Sequence, residues 1–282
     1  MSTQFDYLLD KIASARFCDE PFRHLDLSDF LSAEHLRAII TDPQVDVPQA
    51  STLTEMFGHL DAAGFETIGF PGCITSREDY AEWLAGNLET KYHGATEGCG
   101  MVLRLAHFRS DILKAFHAFV HSNEFVAVLT EKFNITSAVR IDGGIQKYLH
   151  GYEISPHPDI RSKALTWMLN LNPHPAADMQ DHHTHYMSLR TPWRFISEYW
   201  RGNPHVERDW LPWNWCETHK QQRLNNSMVI FSPDNDTLHG VRAHYDHLQG
   251  QRTQLYGNLW YDTPDLPKVS YQQFDLAIPV SA

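Results

Sequence analysis

His157 and Asp159 stand two apart in the stretch ISPHPDIRSKALTWMLNLN, residues 154–172. On an extended backbone, side chains two apart face the same side. An imidazole and a carboxylate would therefore meet there, just before an alternating apolar run. Both groups bind zinc and iron, but two ligands leave either site unfinished. The plain alternative is a proline-bracketed surface turn. The best third ligand lies in NNSMVIFSPDNDTLHGV, residues 225–241, where an apolar strand and a turn precede His239. Downstream, Arg252 opens another strand-like run.

The elements that must position these groups fall into two textures. The first half carries helix signals. Phe5, Leu8, Leu9 and Ile12 have helical spacing. Ser32 precedes AEHLRAII as an N-cap, with Glu34 in the first turn. Ser76 and Asp79 open REDYAEWLAGNLE as a capping box. The stretch 110–133 reads as two helices broken at Ser122 and Asn123. From about Val139 the segments become short, alternating or β-branched. Candidate strands are 145–150, 164–172, 183–189, 228–232 and 253–261. A helical half followed by an all-β half predicts an α+β fold, with helices on one side of a sheet or barrel. In 164–172, Leu165, Trp167, Leu169 and Leu171 alternate with Thr166, Met168, Asn170 and Asn172. The apolar set should pack on the helices, and the mixed set should face a pocket.

Bulk properties narrow the partners. The chain has 282 residues and a net charge of -12. Such a balance argues against nucleic acid or an anionic membrane, which want clustered Lys and Arg. No run approaches the length of a transmembrane helix, and the N-terminus lacks the basic segment of a secretory signal. The four cysteines form no C-x-x-C pair and fit a reducing compartment, so a cytoplasmic protein is expected. The 18 histidines raise the prior for a metal without locating it. Five of the 8 tryptophans lie between Trp193 and Trp215, which reads as a satellite core or an aromatic lid.

Two histidines and one carboxylate on one face leave the opposite face open to a bidentate 2-oxo acid and dioxygen. A strand-borne Arg would hold the far carboxylate of that acid. H-x-D, a long gap, then His and Arg on late strands resembles the Fe(II)/2-oxoglutarate-dependent dioxygenase superfamily, in its prolyl-hydroxylase-like branch. KYLHGYEISPHPDIRSKALTWMLNLN and FRHLDLSDFLSAEHLRAII are similar to that branch as well. The resemblance implies a double-stranded β-helix (jelly-roll, cupin-like) barrel with N-terminal helices packed on one side. It divides a single oxygenase domain, 1–282, into helical support over 1–138 and a barrel over 139–262, with a tryptophan-rich insert at 190–220. It implies Fe(II) on His157, Asp159 and His239, and 2-oxoglutarate on Arg252. Asn170, Tyr148 and Gln254 are further candidates for the co-substrate. The implied reaction uses O2, releases succinate and CO2, and hydroxylates or otherwise oxidises a C–H of a small, amino-acid-like molecule. Asp159 favours hydroxylation over halogenation, which resembling enzymes carry out with a small residue there.

The gap from His239 to Arg252 is long for that branch, so Arg242 competes for the anchoring role. His182, His183 and His185, beside Asp181, form a rival cluster that lines a strand or the surface. His174, His244 and His247 read as solvated turn or loop residues. A zinc-dependent cupin-like hydrolase or lyase, or a non-catalytic β-barrel binding module, are the alternative functions.

Overall fold

The computed structural model describes residues 3–86 and 94–262. The first half runs α1 (Tyr7–Ser14), β1 (Phe17–Cys18), β2 (His24–Leu27), α2 (Ala33–Ile40), α3 (Leu53–Ala63), β3 (Phe65–Thr67), α4 (Arg77–Ala85), β4 (Val102–Leu105), α5 (Asp111–Val120) and α6 (Asn123–Lys132). The second half runs β5 (Val139–Tyr148), β6 (Glu153–His157), β7 (Lys163–Asn170), β8 (Thr184–Leu189), α7 (Phe195–Gly202), β9 (Cys216–Gln221), β10 (Met228–Phe231), β11 (His239–Arg242) and β12 (Arg252–Tyr261).

Hydroxyl caps set the helix starts. Ser32, Thr52, Ser76, Ser110 and Ser122 each accept from the backbone N–H three residues on, which satisfies a donor the helix cannot. The expected break at Ser122 is therefore a cap. The last residues expected in the helix that became α4, 87–89, lie outside the described residues.

Two antiparallel sheets carry the strands. One has eight strands in the order β1-β2-β10-β7-β12-β5-β4-β3; the other has four, in the order β6-β11-β8-β9. From β5 onward every connection passes between the sheets except β8 to β9, which holds the tryptophan-rich insert. The sheets face each other without closing into a barrel. Residues 1–138, mainly helical, also supply the short strands β1 to β4, which extend both edges of the large sheet. They are two to four residues long, below the length at which alternation can be read. The β half also holds α7.

The large sheet has two unlike faces. Leu165, Trp167, Leu169 and Leu171 of the β7 run pack with α1, α2, α3, α5 and α6 into the main core, as their alternation predicts. Trp167 lies flat across the sheet because Gly257 of β12 has no side chain. A Cβ there would sit 2.3 Å from the indole. The other face, with Thr166 and Met168, turns towards the small sheet and a cavity. Among the described residues no helix is long and apolar enough to cross a membrane.

Candidate metal centre and its cavity

His157 ends β6 and His239 begins β11, and the two are register partners in the small sheet. Their rings lie 4.4 Å apart between centroids. Each imidazole is oriented by its own backbone. His157 Nδ1 lies 2.9 Å from Ser155 O, and His239 Nδ1 lies 3.1 Å from Thr237 O. A ring whose Nδ1–H donates to a carbonyl presents a bare Nε2 lone pair, the form that binds a metal. Both Nε2 atoms turn to Asp159, at 3.4 Å from Oδ1 for His157 and 3.8 Å from Oδ2 for His239. Burial, then the neighbouring His157, pushes His239 down to about 3, so it stays neutral.

Asp159 sits in the left-handed region at φ 59. Non-glycine residues are uncommon there, though Asp tolerates it better than most, and such backbone gathers at functional sites. Both carboxylate oxygens are held. Lys163 Nζ donates to Oδ1 and Thr166 Oγ1 to Oδ2, each at 2.6 Å. Regular alternation would put residues 163 and 166 on opposite faces. The pairing of β7 with β12 shifts register between Leu259 and Trp260, which places Lys163 on the cavity wall beside Thr166. Burial works to raise the Asp159 carboxyl, but the Lys163 ammonium beside it holds it well below the usual carboxylate range.

The ligand atoms of His157, Asp159 and His239 all lie within 4.8 Å of one another. They form the only such group of three among the described residues. The donor set fits a divalent ion: two imidazole nitrogens, one carboxylate oxygen, and oriented partners behind each.

The three line one side of a cavity of about 400 Å³ between the sheets. On the large-sheet side stands Arg252, 2% exposed. Its Nη2 donates to Thr184 Oγ1 at 2.8 Å, and its guanidinium lies 4.6 Å from the Tyr148 ring centroid. Tyr245 Oη accepts from Arg252 N at 2.9 Å and donates to Tyr148 O, fixing the start of β12. Burial lowers the Arg252 pKa from its ordinary value, and no carboxylate pairs with it among the described residues. It is a buried cation whose partners are hydroxyls and an aromatic face.

Tyr148 and Gln254 line the cavity with Arg252. The Gln146 amide is satisfied on both sides when its nitrogen donates to Tyr148 Oη at 2.7 Å and its oxygen accepts from Arg104 Nη2 at 2.8 Å. Asn170 does not reach the cavity. Its Nδ2 donates to Gln222 O and Leu224 O, and its Oδ1 accepts from Gln254 Nε2 at 2.8 Å. Asn170 therefore braces Gln254 instead of touching a ligand. Arg242 is bound to Glu153, with Nε 2.9 Å from Oε2, and lies over Trp213. Arg104 also lines the cavity but pairs with Asp142 at 2.9 Å, which leaves Arg252 as the wall arginine without a carboxylate partner among the described residues. His182 packs against both His183 and Tyr245, and His185 meets Thr218. None of the three belongs to a metal-type cluster among the described residues. His247, expected in solvent, is 5% exposed, and burial pushes it down to about 4.

Sequence reasoning missed Lys163, Thr166 and Thr184. Lys163 and Thr166 follow Asp159 closely enough for a bound carboxylate to be suspected. Thr184 had no signal beyond its place beside a histidine cluster.

No family model matches the chain, and no curated protein matches it. Solved structures resemble it at low identity. A Pseudomonas putida prolyl-4-hydroxylase is 12% identical, with 92% of this chain and 100% of that one covered, at a TM-score of 0.44. A Trichoplax adhaerens prolyl hydroxylase, solved with a hypoxia inducible factor peptide fragment, is 8% identical, with 92% and 89% covered, at a TM-score of 0.43. The epimerase SnoN, solved with Fe3+, alpha ketoglutarate and nogalamycin RO, is 12% identical, with 94% and 92% covered, at a TM-score of 0.43. Likeness at this level carries no functional weight; the chemistry rests on the chain's own side chains.

Proposed function

We propose that the protein is an Fe(II)- and 2-oxoglutarate-dependent oxygenase that hydroxylates, or otherwise oxidises, a C–H of a small, amino-acid-like molecule. The two facing sheets, with nearly every connection crossing between them, are read as an open double-stranded β-helix within a single domain. One observation supports the reading most. The converging Nε2, carboxylate and Nε2 atoms share a cavity with a buried arginine that no carboxylate neutralises. Metal alone would explain the first feature, and an anionic co-substrate explains both.

Iron on His157, Asp159 and His239 would supply the redox chemistry that joins 2-oxoglutarate, O2 and a C–H to give succinate, CO2 and an alcohol. The protein's own share is placement. Arg252 takes the distal carboxylate of 2-oxoglutarate, with Thr184 and the Tyr148 ring holding its guanidinium in line. Lys163 and Thr166 keep the Asp159 carboxylate ionised and fixed. Ile154, Ile160 and Val241 give the cavity apolar walls that exclude water from the reacting groups. The volume suits a small molecule beside the co-substrate.

A zinc hydrolase or lyase would leave Arg252 without a ligand, and a binding module would leave the three converging atoms unexplained. Incubation with Fe(II), 2-oxoglutarate and O2 should release succinate, and anaerobic titration should show 2-oxoglutarate binding that depends on metal. Absence of both would end the proposal.

A further inference from the structure

Arg104 and Asp142 stand together on the large-sheet wall of the cavity. Arg104 of β4 is the register partner of Gln146, and its side chain lies over Gly144 of β5. A Cβ on Gly144 would sit 3.1 Å from Arg104 Cδ, so the glycine makes room for the arginine on the cavity face. There Nη1 donates to Asp142 Oδ1 at 2.9 Å, and Nε and Nη2 donate to the Gln146 amide oxygen at 3.2 and 2.8 Å. Both side chains stay open, Arg104 at 26% and Asp142 at 42% exposure. An ion pair this open adds little to the stability of a fold. Its place on the wall of a cavity calls for another reason.

The pair also has bonding capacity left over. A guanidinium carries five N–H groups. Three of those on Arg104 are engaged, which leaves one on each terminal nitrogen. Asp142 Oδ2 accepts no hydrogen bond among the described residues. The position is equally specific. Asp142 pairs across the sheet with Asn258, and Asn258 pairs with Thr166. Thr166 Oγ1 is the hydroxyl that donates to Asp159, and it lies 3.1 Å from Asn258 Oδ1. Asp142 and the residue behind Asp159 therefore share one cross-strand row, with two strand spacings, roughly 10 Å, between their backbones. Trp260, two residues beyond Asn258, and Ile160, beside Asp159, line the cavity along that row.

We propose that Arg104 and Asp142 form the subsite that binds the primary substrate as a free α-amino acid, the guanidinium taking its carboxylate and Asp142 Oδ2 its ammonium. The inference rests on the oxygenase reading for calling that ligand the substrate. Opposite charges held side by side match a molecule whose own opposite charges flank a single carbon. The net charge of -12 disfavours a simple anion, whereas a zwitterion carries no net charge. An amino acid bound there sends its side chain past Asn258 towards the metal centre. The C–H that is oxidised then lies on the side chain, several bonds from the α-carbon. A residue inside a peptide has neither charged group, and the pair gives it no hold.

The test is calorimetric and anaerobic. Protein loaded with Mn(II), with and without 2-oxoglutarate, is titrated with the common L-amino acids and with the N-acetyl and carboxamide forms of each. At least one free amino acid should bind about tenfold or more tightly than either blocked form. Asp142→Asn should shrink the preference over the N-acetyl form to about twofold, and Arg104→Met should do the same to the preference over the carboxamide. The subsite is refuted if no free amino acid outbinds both blocked forms, or if either variant keeps the preference assigned to it. Equal loss of both preferences in both variants would mean that the pair only shapes the wall, and would overturn the assignment too. Should Arg104→Met fail to fold, the nearly isosteric Asp142→Asn alone decides. Failure of 2-oxoglutarate to bind the wild type would refute the oxygenase reading instead, and the titrations without it still report on the subsite.

Discussion

Two lysines on the large sheet, one buried and one half-buried, show how its faces differ. Lys147 of β5 is 0% exposed on the helix side and donates to Val45 O at 2.8 Å and Thr253 Oγ1 at 2.9 Å. Both acceptors are neutral, and burial pushes its ammonium down to about 7. Lys163 of β7 is on the cavity side, 2.6 Å from the Asp159 carboxylate. Burial opposes its charge too, but Asp159 raises its pKa above the ordinary value. The helix face tolerates a cation only by making it easy to deprotonate. The cavity face keeps charge and arranges partners around it. That contrast is a physical signature of a site, because structural cores gain nothing from fixed charges.

The cavity face should break first and hardest. His239→Ala removes one of the three converging ligand atoms. Fe(II) affinity and succinate formation should fall by more than the 10- to 100-fold, roughly, that loss of a ligand's hydrogen-bond partner costs. Metal titration checks the first and product analysis the second. Arg252→Met should weaken 2-oxoglutarate by about 100-fold, as expected when a charge-assisted fork is lost. Arg242→Gln should change it less than about twofold, since Arg242 is engaged with Glu153 away from the cavity. Equal losses in the two arginine variants, read in anaerobic titrations, would erase the distinction between them.

Lys163→Met attacks the pairing itself. Asp159 would stay buried with one oxygen unpartnered, and the metal-free protein should lose about 3–5 kcal/mol, read by chemical denaturation. A divalent ion should recover part of that loss, because its charge stands where the ammonium's influence was. Added Mn(II) should therefore raise the melting temperature of Lys163→Met more than that of the wild type.

The legible part of this molecule followed from local rules. His157 and Asp159 announced themselves by spacing, and the alternation of residues 164–172 sorted the two faces of β7 correctly. Helix starts were readable because a serine hydroxyl satisfies the first turn wherever it stands. Strands β1, β3 and β4 were not readable, since two to four residues show no period. Asn170 was misplaced for a different reason. Alternation gave its face, but the backbone carbonyls of Gln222 and Leu224 that engage its amide come from a distant segment. Lys163 was hidden by a register shift that no single sequence displays. The tryptophan-rich segment was recognised only by composition, and its path depends on long-range bonds to β6.

The change that is smallest near pH 7 belongs to the helix face, and its sign with pH is the informative part. The folded protein holds Lys147 near a pKa of about 7, against an ordinary value of 10.5. Between those values the unfolded chain binds more protons than the folded one, so stability rises with pH across that window. The contribution is at most about 1.4 kcal/mol per pH unit. Below the window the folded state carries a charge with only neutral acceptors. Lys147→Met removes that burden and strands Val45 O, while Thr253 Oγ1 keeps its bond to Gln251 O, and near pH 7 the two changes should nearly cancel. Denaturation series from pH 6 to 10 should therefore show the alkaline rise in the wild type and a flatter profile in Lys147→Met. A rise of equal slope in both would mean that Lys147 is not the group responsible, and the contrast between the faces would then rest on Lys163 alone.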